Sequence, residues 1–207
     1  MPAARRLVAR EGAIVGARLR LATWHAKVGG VGADAGMRDW LTTPGSLTAR
    51  LVKSSATFRV RRLHQKSAAC AFEEAAPLGL ARRARVWERE VLLCCDGVPV
   101  VFGHTVVPMA ATASDWPLFS ALGERSLGTT LFDDPKVRRG PLEFARLRTG
   151  HPLLARVRAA LGGELDGHEF HARRCVYRRH RGLLMVTEIF LPTVLDLAAT
   201  ATIKIAK

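Results

Sequence analysis

The stretch VWEREVLLCCDGVPVVFGHTVV, residues 86–107, constrains the fold more than any other part of the chain. Two runs rich in β-branched and apolar residues flank Asp96-Gly97. An Asp-Gly pair readily takes the left-handed conformations of a two-residue hairpin loop, whose twist matches that of paired strands. An antiparallel hairpin is therefore predicted here. A second follows from residues 175–179 and 183–191, joined through Arg181-Gly182. Further strands are predicted at 57–64 and 143–147. Helices fall between them at 37–41, 46–51, 114–122 and 126–132, with 73–83 a loop or a short helix. Gly45 and Ser46 are N-cap candidates for the second helix, and Pro117 sits in the first turn of the third, where its missing amide does no harm. Antiparallel hairpins interleaved with helices define an α+β fold on a single antiparallel sheet.

Strand side chains alternate between faces, and that alternation isolates two charges. In residues 86–95 one face carries Trp87, Arg89, Val91, Leu93 and Cys95, the other Val86, Glu88, Glu90, Leu92 and Cys94. Arg89 is the lone charge on the more apolar face. Glu188 lies in the same way among Leu184, Val186 and Phe190. An ionised group on an apolar face costs several kcal/mol, roughly, unless a counter-charge or hydrogen-bond partners meet it. Two readings stand side by side: Arg89 and Glu188 neutralise each other as a buried ion pair, or they share a pocket in which the arginine holds a ligand carboxylate and the glutamate meets a hydroxyl or a proton.

Composition narrows the function classes. The chain has 207 residues and a formal charge of +14. Residues 1–36 hold six Lys/Arg and two acids, or +4, leaving +10 spread over the remaining 171 residues. The nearest approach to a basic patch is Arg173-Arg174 with Arg178-Arg179-His180-Arg181, read as a solvated basic face rather than a nucleic-acid site. The longest uncharged stretch, residues 97–114, is interrupted by Pro99, Gly103, His104 and Pro108, so stable membrane insertion is not expected. Cys70, Cys94, Cys95 and Cys175 form no C-x-x-C pair and follow no secretory signal, which suits reduced thiols and a cytoplasmic location. His168-x-x-His171-x-x-x-Cys175 is the single metal-like spacing, read as ordinary strand-side residues, and no metal is expected.

The motifs WEREVLLCCDGVPVVFGHTVVP, SLGTTLF and TEIFLP, preceded by DWLTTPGSLTARL, resemble the chorismate pyruvate-lyases of bacterial ubiquinone biosynthesis, in which such motifs recur in this order. The resemblance covers residues 37–194. It leaves 1–36 as a basic, mobile N-terminal extension dispensable for turnover, and 195–207 as a C-terminal tail. It implies a sheet of about six strands whose helices cover an enclosed ligand pocket, and a monomeric, cofactor-free lyase that splits chorismate into 4-hydroxybenzoate and pyruvate. It also assigns ligand contacts to Arg89, to Glu188, and to the positions of Leu47 and Leu127, the last two through backbone amides that start helices or turns. Leu47 stands where the family often has Met. The alternative expectation is a non-catalytic effector-binding domain of the same fold for small aromatic acids.

Overall fold

The computed structural model describes residues 22–163 and 169–197. Six strands, β1 (Phe58–Ala69), β2 (Arg85–Cys95), β3 (Val98–Pro108), β4 (Val137–Arg148), β5 (Glu169–Arg179) and β6 (Gly182–Phe190), form one sheet in the order β1-β2-β3-β6-β5-β4. Every neighbouring pair is antiparallel. The β2–β3 loop is Asp96-Gly97 with φ of 50° and 82°, both in the left-handed region that such a loop requires. The second hairpin turns one residue earlier than predicted: His180 has φ 51°, and Gly182 already pairs with Arg179. Glycine is needed at 182 for a different reason, since a Cβ there would lie 2.4 Å from the Cβ of Asp115.

Among the described residues, helices α1 (Ala35–Leu41), α2 (Leu47–Lys53), α3 (Phe72–Ala75), α4 (Leu127–Asp133) and α5 (Pro152–Ala160) pack on the sheet. Asp34 caps α1 by accepting from the Met37 amide at 2.8 Å, and Ser46 caps α2 by accepting from the Ala49 amide at 3.3 Å. Residues 114–122 form successive turns instead of the predicted helix. The amides of Asp115 and Trp116 both return to the Ala111 carbonyl, and that of Phe119 to Trp116. Trp116, Phe119 and Leu122, three residues apart, all enter one apolar cluster with Tyr177 and Leu184. A tight turn places such a spacing on one side, and Pro117 has no amide to donate to a longer ladder.

Both faces of the sheet are covered. On one, α1 and α2 set Trp40, Leu41, Leu47 and Leu51 against Val60, Val91, Leu93 and Phe190. On the other, α5 sets Leu153, Leu154 and Val157 against Leu92, Phe102, Leu147 and Ile189. Glu88 and Glu90 therefore lie beneath helices, each 3% exposed, although their face of β2 is the more polar one by sequence. Arg173 and Arg174, read from the sequence as part of a solvated basic face, are likewise buried, because β5 is an inner strand with both faces packed.

The expected boundaries at 36/37 and 194/195 move outward. His25 exchanges two 2.8 Å backbone hydrogen bonds with Phe144, the Trp24 indole donates to Glu73 at 3.2 Å, and Val31 and Ala33 are buried in the core. Val194 and Leu197 are buried as well, in a short helical turn beyond β6. Residues 1–21 and 198–207 lie outside the described residues. A chain begun at residue 37 should consequently lose stability, because it gives up the Val31 and Ala33 burial and the Arg174–Trp24 stacking at 4.3 Å. Thermal unfolding should show a melting temperature lower by several degrees at least, of order 5 °C or more. An unchanged melting temperature would restore the boundary at 37.

Candidate active site

Arg89 points from the middle of β2 into a cavity between the sheet and the helices on that face. Leu47, Leu127 and Glu188 line the same cavity, as do Arg173, Tyr177 and Thr105. Leu47 and Leu127 are the first residues of α2 and α4, whose N-termini meet: the Thr48 and Ser126 hydroxyls are 2.6 Å apart, and a Cβ at Gly128 would lie 2.7 Å from Thr48 Oγ1. A side chain at 128 would have to displace the Thr48 hydroxyl from this contact. First-turn amides have no acceptor within their own helix, and those of Leu47 and Leu127 find none elsewhere among the described residues.

Arg89 and Glu188 are not partners. Across the sheet Arg89 faces Thr105, Thr105 faces Val186, and Glu188 lies two residues further along β6. Two strand spacings separate β2 from β6, about 10 Å. Glu188 instead has Arg173 directly opposite on β5, and Arg173 Nε donates to Glu188 Oε2 at 2.5 Å. Arg89 is 2% exposed and donates through Nη2 to the carbonyls of Gly123 and Arg125, both at 3.0 Å. Its Nε is buried without an acceptor, and it has no carboxylate partner among the described residues. Burial, with the like charge of Arg62 adding to it, pulls its pKa down to about 10. A buried guanidinium with an idle donor is costly unless a ligand anion completes it. Tyr177, on the cavity wall, stays protonated, because burial and then the Glu188 charge push its phenol well above the ordinary range.

Arg173 and Tyr177 line this cavity too, and the sequence alone did not single them out. Splitting residues 169–179 by alternation sets Arg173 with Glu169, His171, Cys175, Tyr177 and Arg179, a face with several charges, so alternation alone does not isolate Arg173 as it isolates Arg89. Of the metal-like spacing, His168 lies outside the described residues. His171 meets the Val31 carbonyl at 3.2 Å and the Cys175 thiol the Gly140 carbonyl at 3.3 Å. Four residues apart on one strand, these two side chains are separated by about 13 Å and cannot share an ion. All four cysteines are free and buried.

The opposite face of β2 carries a second polar cluster. His104 bridges Glu90 at 3.0 Å and Glu74 at 2.9 Å, while Arg156 reaches Glu88 at 2.9 Å and Glu90 at 2.5 Å. His64, Glu88 and Glu90 converge within 4.8 Å of one another, but Arg156 already supplies a cation to both carboxylates. Glu74 belongs to α3 and Arg156 to α5, so the cluster ties both helices to the strand that carries Arg89. Burial alone would lower the His104 pKa, but the Glu74 charge and the bonds to Glu74 and Glu90 outweigh it and raise it to about 9. A raised folded-state pKa contributes stability that is complete below the ordinary value near 6.5 and is lost as pH rises through about 9. The urea midpoint should therefore fall between pH 6.5 and 9.5, and His104→Gln should flatten that fall; an equal slope in both proteins would count against it.

Fold and site together define a class: an α+β domain whose antiparallel sheet and helices frame a cavity lined by the buried Arg89 and Arg173. The fold is shared with the effector domain of PhnF from Mycobacterium smegmatis, with a TM-score of 0.51 at 17% identity over 72% of this chain and 89% of that one. The full PhnF structure gives 0.52 over 73% and 65%. Residues 19–199 match the chorismate lyase family, to which this chain belongs, and the protein is a carbon–oxygen lyase. A probable chorismate pyruvate-lyase of Cupriavidus metallidurans is 47% identical over 86% of this chain and 84% of its own length. One from Cupriavidus pinatubonensis is 48% identical over 77% and 82%, and one from Dechloromonas aromatica 41% over 85% and 98%. No helix among the described residues is long and apolar enough to cross a membrane.

Proposed function

We propose that the protein removes pyruvate from chorismate to give 4-hydroxybenzoate, the aromatic acid of ubiquinone biosynthesis. The observation that carries this reading is Arg89, a nearly inaccessible cation with an idle Nε and no acidic partner among the described residues, set in a cavity whose walls also carry apolar side chains such as Val60, Val91, Leu93, Leu131 and Val186. An aromatic carboxylate supplies both the anion and the apolar ring that such a cavity needs. The names of the curated relatives support the same substrate.

The chemistry asks the protein to orient and polarise. Chorismate is one elimination away from an aromatic ring. The bond from the ring to the enolpyruvyl oxygen breaks, the hydrogen leaves the ring carbon that bears the hydroxyl, and the three-carbon fragment takes up a proton to become pyruvate. Arg89 holds the ring carboxylate, with the Leu47 and Leu127 amides as fixed donors at the same end. Glu188 faces the ring hydroxyl or the leaving oxygen from the far side of the cavity, with Oε1 available because Oε2 is taken by Arg173. Incubating purified protein with chorismate should release 4-hydroxybenzoate and pyruvate in equal amounts. Absence of both products from a folded preparation would overturn the reading.

A further inference from the structure

We propose that Arg173 is a positioning residue that sets two opposite walls of the cavity at once. The inference rests on the site described above but not on the identity of the substrate. Arg173 is 2% exposed and lines the cavity. Its Nε donates to Glu188 Oε2 at 2.5 Å, while Nη1 donates to the Leu41 carbonyl at 3.1 Å and to that of Thr43 at 3.5 Å. Phe190, two residues beyond Glu188 on β6, lies with its ring 5.6 Å from the guanidinium carbon.

The consequence follows from where those two carbonyls sit. Leu41 ends α1, and Thr43 belongs to the link that runs through Gly45 and Ser46 into the first turn of α2, where the Leu47 amide is. Gly45 has φ 70° and no side chain to brace it; Thr43 is tied locally to the Trp40 carbonyl and to Arg50, and Arg173 adds the tie that joins this link to the strand carrying Glu188. One rigid, planar group thereby fixes the orientation of the Glu188 carboxylate and the approach of the α2 N-terminus. A lysine keeps the charge but has no fork to span both directions. Its single ammonium can meet Glu188 or the carbonyls, not both in the same geometry. Arg173 thus acts through Glu188 and the Leu47 turn, which meet the ligand.

The test is a kinetic double-mutant cycle on the full chain with Arg173→Lys, Glu188→Gln and the double variant. Arg173→Lys should lower kcat about 10- to 100-fold with KM changed less than about threefold, since displacing a reacting group by about 1 Å can cost that much. The double variant should be only slightly slower than Glu188→Gln alone, because both changes disturb the same group. Multiplicative losses, or an unchanged kcat in Arg173→Lys, would overturn the proposal. A purely structural role would lower the melting temperature and leave kcat per folded molecule intact. A measurement that needs no turnover and no folded variant at position 173 is nitrogen NMR of the wild-type protein and of Glu188→Gln. The Arg173 Nε–H should exchange slowly in the wild type and change its shift in Glu188→Gln. A fast-exchanging Nε–H in the wild type would overturn the proposal whatever the protein does with chorismate. A protected Nε–H together with no turnover by the wild type would leave Arg173 in place and overturn the substrate assignment instead.

Discussion

Arg89→Ala should leave a folded protein that has lost useful affinity for 4-hydroxybenzoate. Truncating one partner of a buried, hydrogen-bonded charge pair costs about 2 to 5 kcal/mol, roughly 30- to 4000-fold in Kd. The fold should tolerate the change, because the side chain is a buried cation without a protein counter-charge. What goes with it are the bonds to the Gly123 and Arg125 carbonyls, and with them the cost of keeping the guanidinium dehydrated. Thermal unfolding should therefore shift by no more than a few degrees, about 5 °C. Lysine should rescue partly, because it restores charge but not the geometry of two parallel donors. Calorimetric titration with 4-hydroxybenzoate decides the matter: near wild-type binding by the folded alanine variant would remove Arg89 from the ligand site.

Glu188 should behave differently, and Arg173 is the reason. Glu188→Ala strands a guanidinium that is 3% exposed in its side chain, whereas the carboxylate it loses is 20% exposed and reached by water. The expected destabilisation lies toward the lower end of about 3 to 5 kcal/mol. Glu188→Gln keeps an oxygen for the Arg173 Nε to donate to, so it should melt close to the wild type. It cannot hold or pass a carboxyl proton, and single-turnover lysis should slow by about 100-fold or more while product binding through Arg89 persists. A glutamine variant of full activity beside a badly destabilised alanine variant would reduce Glu188 to a structural partner of Arg173.

The strands were legible because their signal is local. Asp96-Gly97 states a turn by its own backbone preferences, and alternation along residues 86–95 and 183–191 states which side chains share a face. The same alternation isolated Arg89 and Glu188 as charges facing apolar neighbours, and both line one cavity. It failed for residues 114–122, where Asp115-Trp116-Pro117 reads as a helix start but the burial of Trp116, Phe119 and Leu122 draws the chain into turns. It failed also for the N-terminal boundary, because His25 contributes backbone bonds to Phe144, a partner that no local pattern can announce.

What the sequence determined by itself was which residues alternate, where the first hairpin turns, where α2 is capped, and that two charges needed partners. What the tertiary structure alone decided was which partners they received. Strand order, not composition, places Glu188 between Gly103 and Arg173 and leaves Arg89 two strands away, so the obvious salt bridge never forms. The same order sinks Glu88 and Glu90 beneath α3 and α5, where His104 and Arg156 neutralise them. A strand's faces follow from its own geometry, but what will lie opposite depends on contacts between segments far apart in the chain, such as Arg173 with Leu41, 132 residues away. A single sequence carries no short-range record of such contacts, and they exist only once the sheet has closed in its final order.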